Sequence, residues 1–395
     1  MLKYGLILLS GTLLASCQQA YHSLGMETAQ NAPALSNEIT GSISPNSGTT
    51  SDPAMAAWQT AYADYDKKAT IYWNKVAEMR KVRNAKRANG QTVALTDYVL
   101  TQPPVYNGPA KPASKTPTPS IQRTPIPTMS DFIAASKKTY GFTPERASNE
   151  AEFMRSYAKA AQQLGFTRDQ LVGIYAFETG GNGTHDLQAG MLNGKTTPIS
   201  TAVGYNQLIA TASVSLMWEY GKDIASELRA RANSSTGANK ERLLKKAQIV
   251  DKMTAVAKTV PHNWSQQGTL AKTQAGMGIH AALLDKDIGP LMQIHKLKTS
   301  IQFLKNKGIH RPVSGAELEM LNLTGDGNGF DMVSMPLNYR DKVPTSNFFL
   351  RRGYERNPVA KRNNTVSALL QVTKEKMDAN MRNSGAQQLY QAFNN

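Results

Sequence analysis

The sequence predicts a mainly α protein with at most one small β-hairpin. Apolar residues recur at spacings of three and four through most of the chain beyond residue 129, and Ser, Thr and Asn capping signals open these runs. The two-residue alternation expected of half-buried strands is nearly absent. With 40% apolar residues over 395 positions, the chain can bury a core as one large domain or two.

The elements follow in chain order. Residues 1–16 have an early Lys3 and an apolar run from Leu6 to Leu14, too short to span a bilayer and arranged like a secretory signal. The run ends in Leu14-Ala15-Ser16-Cys17, which resembles a bacterial lipobox, and Gln18 follows. That resemblance implies lipidation at Cys17 and an outer-membrane anchor facing the periplasm. Cys17 is the sole cysteine, so acylation leaves no thiol for a disulfide, a zinc site or nucleophilic catalysis. Residues 17–52 are polar and aperiodic and read as a disordered tether.

From Trp58 a stripe of Tyr62, Tyr65, Ala69, Tyr72, Val76 and Met79 marks an amphipathic helix over 53–90, ending near Asn89-Gly90. Eight Lys/Arg stand against two acids between Asp66 and Arg87. We read this helix as packed on the main domain with a solvated basic face; an arm gripping an anionic surface or pairing with another copy is the alternative. Eight prolines between Thr101 and Pro127 then make 91–128 an extended, semi-rigid spacer, so the folded domain is expected over 129–395.

Within that domain, Asn149 opens a helix to about residue 164, and the box Thr167–Gln170 opens one that ends at Glu178. Further helices are expected over 206–232, 240–259, 269–284, 289–307 and 365–382, with a short one capped at Ser314. The only room for a hairpin is 182–199.

The stretch "FETGGNGTHDLQAG" carries the chemistry. Leu171, Ile174, Tyr175 and Glu178 share one helical face, so Glu178 lies on an apolar stripe and in the last turn, before Gly180-Gly181 stops the helix. Desolvation and the negative end of the helix dipole both disfavour its anion. Together they move a carboxyl toward the value of about 6 that suits a general acid. A solvated glutamate at a frayed helix end is the plain alternative.

A second segment, "ISTAVGYNQLI", follows at Ile199–Ile209. Glu178-Thr179 and then Gly204-Tyr205-Asn206-Gln207 resemble, in order and spacing, the Glu-Ser and Gly-Leu-Met-Gln motifs of the lysozyme-like lytic transglycosylases. The resemblance covers about residues 169–220; Tyr-Asn replaces Leu-Met, and no Ala-Tyr-Asn motif is present. Tyr354, with Asn347 nearby, is the best late stand-in, within a stretch holding five Lys/Arg against one acid over Arg351–Arg362. The resemblance implies a lysozyme-like α domain that cleaves the MurNAc–GlcNAc bond of peptidoglycan and closes a 1,6-anhydro ring. Glu178 serves there as acid and then base, while Thr179, Gln207 and Ser200 or Thr201 orient the sugar or Glu178.

Two alternatives are retained. Phage-type lysozymes carry a Glu, a nearby Asp and a Thr, and Glu178, Asp186 and Thr196 or Thr197 follow that order, which makes hydrolysis the second reading. A lipoprotein that binds the wall without cutting it, or that serves envelope protein partners, is the third. The formal charge of +16 calls for an anionic partner, and export favours wall or membrane over nucleic acid. "GDGNGFD" at Gly325–Asp331 lacks the closing ligands of a calcium loop and reads as a Gly/Asn turn. The six histidines show no paired spacing, so no metal or cofactor is expected.

Overall fold

The computed structural model describes residues 53–113, 125–191 and 197–394. The signal sequence, Cys17, the tether and Thr196 lie outside the described residues. The described chain is built almost wholly of helices. Its strand-like features are isolated bridges, Gln188 with Val203, Val203 with Leu208 and Pro344 with Thr365. The first two fall at and beyond the segment where a hairpin had room.

Two helices form the centre. Helix α4 (Arg168–Thr179) is buried at every position from Leu171 to Thr179. Helix α10 (Gly315–Thr324) is buried from Ala316 to Thr324. A helix buried on every side needs apolar residues around its circumference, and both have them. Each starts on a reciprocal capping box, Thr167 with Gln170 and Ser314 with Glu317, which satisfies first-turn N–H groups that a buried helix cannot leave to water. Helices α15 (Val366–Asn380) and α16 (Ser384–Asn394) pack on α4, and α15 also packs on α10.

Around this pair lie α2 (Met129–Tyr140), α3 (Glu150–Gln163), α5 (Ala210–Asn233), α6 (Gly237–Ala257), α7 (Trp264–Ala271), α8 (Gln274–Ala281) and α9 (Ile288–Asn306). The Asn149 cap holds as expected, its side chain accepting from the Glu152 N–H. Three expectations are corrected. The helix expected from residue 206 begins at Ala210, because Gly204 and Gln207 adopt positive φ of 86° and 45°. The run 269–284 is broken between α7 and α8, where the Thr273 side chain caps a new start. The segment read as a Gly/Asn turn is the start of a helix, α11 (Asp326–Val333), with Gly325 at its N-cap, and the short helices α12 (Leu337–Arg340), α13 (Arg351–Glu355) and α14 (Pro358–Arg362) follow it.

Helix α1 (Pro53–Ala88) packs on the domain through Tyr72, Trp73, Val76 and Arg83. Half of its basic residues between Asp66 and Arg87 point inward rather than to solvent. Arg83 is fully buried: its Nε donates to Asp331 at 2.7 Å and its Nη atoms donate to the Asp97 and Asn347 carbonyls. Arg80 donates to the carbonyls of Asn347 and Phe349, Lys86 pairs with Asp97, and Arg87 pairs with Asp331.

The spacer reading fails for 91–113. Tyr98 and Val99 are buried, the Asn347 side chain exchanges two hydrogen bonds with the Val99 backbone, and Tyr106 packs edge-on against Tyr62 and Tyr65. Prolines keep the segment extended, but its aromatic and apolar side chains give it a surface to lie on. The folded unit therefore includes residues well before Met129; residues 114–124 of the expected spacer lie outside the described ones.

Candidate active site

Glu178 ends α4 with 4% of its surface exposed. The helix stops because Gly180 takes the left-handed conformation (φ 68°) and Gly181 follows it (φ 75°), where a Cβ would lie 2.2 Å from the Asn380 carbonyl oxygen. The freed carbonyls of the last turn are capped from the end of α15: Asn380 Nδ2 donates to Ala176 O at 2.9 Å and Asn383 Nδ2 to Gly180 O at 2.8 Å. Glu178 is thus fixed in a turn with no freedom to fray. The plain reading of a solvated carboxyl at a loose helix end does not hold.

Three helices bring polar groups to it. Asn322 of α10 donates from Nδ2 to Glu178 Oε1 at 2.8 Å. One turn earlier on the same face, Glu319 is 1% exposed and lies close enough to Glu178 to feel its charge. Burial and then the Glu178 charge push the Glu319 carboxyl well above the usual range. Asn322 also sits close enough to favour the Glu319 anion, but its amide reaches neither Glu319 oxygen in bonding geometry. From α15, Lys376 brings a cation that favours the Glu319 anion, and its Nζ stands 4.9 Å from the Phe177 ring centre. From α3, Tyr157 is buried and donates to Asn206 Oδ1 at 2.6 Å; burial first, and the Glu178 charge further down, raise its hydroxyl pKa.

The Tyr157–Asn206 bond is the route by which the second motif reaches the glutamate. Asn206 is anchored by Gln293 of α9, whose Oε1 accepts from its N–H and whose carbonyl accepts from its Nδ2. Gly204 is required there: its φ is positive, and a Cβ would meet the Gln293 amide at 2.9–3.1 Å. Gln207 donates from Nε2 to the Leu187 and Gly204 carbonyls. Tyr205 is a core aromatic that packs on Phe153, Tyr157 and Tyr175 and hydrogen-bonds Glu150.

Other residues singled out in the sequence have local partners. Thr179 donates to Tyr175 O at 2.6 Å, Ser200 Oγ accepts from Ala202 N, and Thr201 Oγ1 accepts from Ala210 N at the start of α5. Asp186 accepts from Thr184 and pairs with Arg146, so it caps its own loop; the second carboxyl beside Glu178 is Glu319. Asn347 and Tyr354 stand at the α1 junction, Asn347 on Val99 and Tyr354 on Trp73 with ring centres 5.5 Å apart.

Glu319, Asn322, Lys376 and Tyr157 escaped the sequence reading. A usable signal existed for Glu319: apolar residues at 316, 318, 320, 321 and 323 surround the helix on every side, so any acid inside it is buried.

The site as described is closed. One cavity of about 480 Å³ lies at the α5–α6 turn beside Lys159, Arg231 and Arg242, and a second of about 210 Å³ lies beside Glu145 and Lys246. Neither is lined by Glu178 or Gln207. Among the described residues, no helix is long and apolar enough to cross a membrane, and no three His, Cys, Asp or Glu side chains converge as metal ligands. No protein-family model, curated protein or solved structure matches the chain.

Proposed function

We propose that this chain is a lysozyme-like lytic transglycosylase acting on peptidoglycan, tied to the outer membrane through a lipidated Cys17, with Glu178 as its acid and base. The observation that carries the reading is a glutamate buried at a helix C-terminus, held by the Asn322 amide beside a second buried carboxyl whose ionisation is suppressed. A surface glutamate has no use for such surroundings, whereas a group that must hold and return a proton does. The Glu-Thr and Gly-Tyr-Asn-Gln segments support it further, since Asn206 is linked through Tyr157 to the neighbourhood of Glu178.

In this mechanism the bond from C1 of the muramyl sugar to the leaving oxygen breaks, with its electron pair passing to that oxygen as the oxygen takes a proton from Glu178. The substrate's own N-acetyl carbonyl steadies the cationic centre. The muramyl 6-hydroxyl then attacks C1 and gives its proton back to Glu178, which closes the anhydro ring. No water is consumed. Hydrolysis through Asp186 loses its support, because that carboxylate is engaged by Arg146 and Thr184.

A second reading, a lipoprotein that binds the wall without cutting it, is favoured by the 4% exposure of Glu178 and by cavities that lie elsewhere. Mass spectrometry of muropeptides after incubating the protein with purified sacculi separates the two. The transglycosylase releases products one water lighter than those of a hydrolase, and Glu178→Gln lowers that release by about 10²-fold or more while wall binding persists. Sedimentation with sacculi and no released sugar from the parent protein establishes the binder instead.

A further inference from the structure

We infer that Glu319 is a proton store for Glu178: the two carboxyls hold one proton between them at neutral pH, and it rests on Glu319. The inference deepens the acid–base reading and takes its chemistry from it, but its test does not require a glycan.

The geometry supplies the argument. Both carboxyls are almost fully buried and close together, and without a cation beyond Lys376 two adjacent buried carboxylates repel too strongly for both to be charged at rest. Among the described residues, no N–H or O–H donor hydrogen-bonds to an oxygen of Glu319. Contact between two carboxyls is a hydrogen bond only if one of them carries a proton. Glu178 receives the Asn322 amide at 2.8 Å, which favours the anion on that side, so the proton belongs to Glu319.

The other ionisable groups facing the pair fit one proton. From α15 comes Lys376, whose charge acts on Glu319 and whose buried Nζ makes no hydrogen bond among the described residues. From α3 comes the neutral Tyr157. The second acid of α10, Glu317, faces Arg311 and Arg340 instead. Among the described residues, the single ammonium of Lys376 offsets a single carboxylate, which favours keeping the second carboxyl uncharged in a buried site.

As a proton store, Glu319 is a positioning residue. Its O–H bond breaks as Glu178 gains the proton it will donate, leaving the Glu319 anion facing Lys376. When Glu178 delivers that proton to the leaving oxygen, the two carboxylates stand against Lys376 and the sugar cation, and charge again balances. The 6-hydroxyl proton returns to Glu178 and then to Glu319.

The test is infrared spectroscopy of the full chain in heavy water across pH, comparing the parent with Glu319→Gln and Glu178→Gln. The parent is expected to show a protonated-carboxyl stretch at neutral pH that Glu319→Gln abolishes. In Glu178→Gln the band persists at low pH but is lost about one unit or more earlier as pH rises, because the repelling charge is gone. Superimposable parent and Glu319→Gln spectra at neutral pH, or an unmoved titration in Glu178→Gln, overturn the inference. If circular dichroism shows that Glu319→Gln does not fold, the Glu178→Gln titration decides alone. A band that behaves as expected in a protein that leaves sacculi uncut refutes the enzyme and keeps the proton pair; cleavage without the band does the reverse.

Discussion

His280 illustrates how single side chains hold the loop that carries the second motif. It is buried, its Nε2 donates to the Thr201 carbonyl at 2.7 Å, and its Nδ1 accepts from Ser213 Oγ. Burial pushes its pKa down to about 4, and burial followed by the Lys298 charge does the same to His295. An unfolded histidine takes up its proton near pH 6.5 and the folded one does not, so stability is full above about 6.5 and is lost as pH falls toward 4. For His280 the loss is on the order of 3 kcal/mol. Urea midpoints measured across this window should therefore fall with acid, and His280→Gln should flatten the slope. Glu319 has the opposite sign: its raised pKa favours the folded state below the unfolded carboxyl value, and that contribution fades as pH rises. Gly204→Ala should cost about 1–3 kcal/mol in a denaturant titration, through backbone strain and collision with Gln293.

At the scale of elements, α1 behaves as part of the folded unit. Arg83, with Arg87 and Tyr98, neutralises and hydrogen-bonds the buried Asp331, and Tyr72 bonds both Ser346 and the Thr101 carbonyl. Removing one member of a buried ion pair strands the other, so Arg83→Ala should destabilise by about 3–5 kcal/mol. Alanine at the exposed Lys67 or Lys68 on the same helix should change stability by less than about 0.5 kcal/mol. Equal effects from buried and exposed cations in guanidinium unfolding would show that α1 is not docked. The count of basic residues in α1 was readable from its sequence; which of them turn inward was not, because that depends on Asp331, Asp97 and the carbonyls of 347 and 349 arriving from distant segments.

At the scale of the molecule, a formal charge of +16 gives a long-range attraction for anionic surfaces that salt removes. Binding to sacculi should weaken sharply at about 1 M salt, where charges more than about 3 Å apart are screened. Retention at that salt would mean that specific contacts, not net charge, hold the wall. Glu178→Gln should show the same salt dependence as the parent, since it leaves the net surface field nearly unchanged.

The sequence by itself determined what is local: a helical chain, the caps at Asn149, Thr167 and Ser314, the stop at Gly180, and a glutamate placed on the apolar face of a last turn. Those features depend on backbone dihedrals and on side chains within a few residues of one another. Only the tertiary structure decided that Asn322, 144 residues away, meets Glu178, that Glu319 and Lys376 come to the same buried place, and that Asn347 and Tyr354 serve the α1 junction instead. The proline-rich segment teaches the same lesson. Its extension follows from fixed φ angles, but whether it stands free or lies down depends on the surface that Asn347 and the tyrosines of α1 offer it.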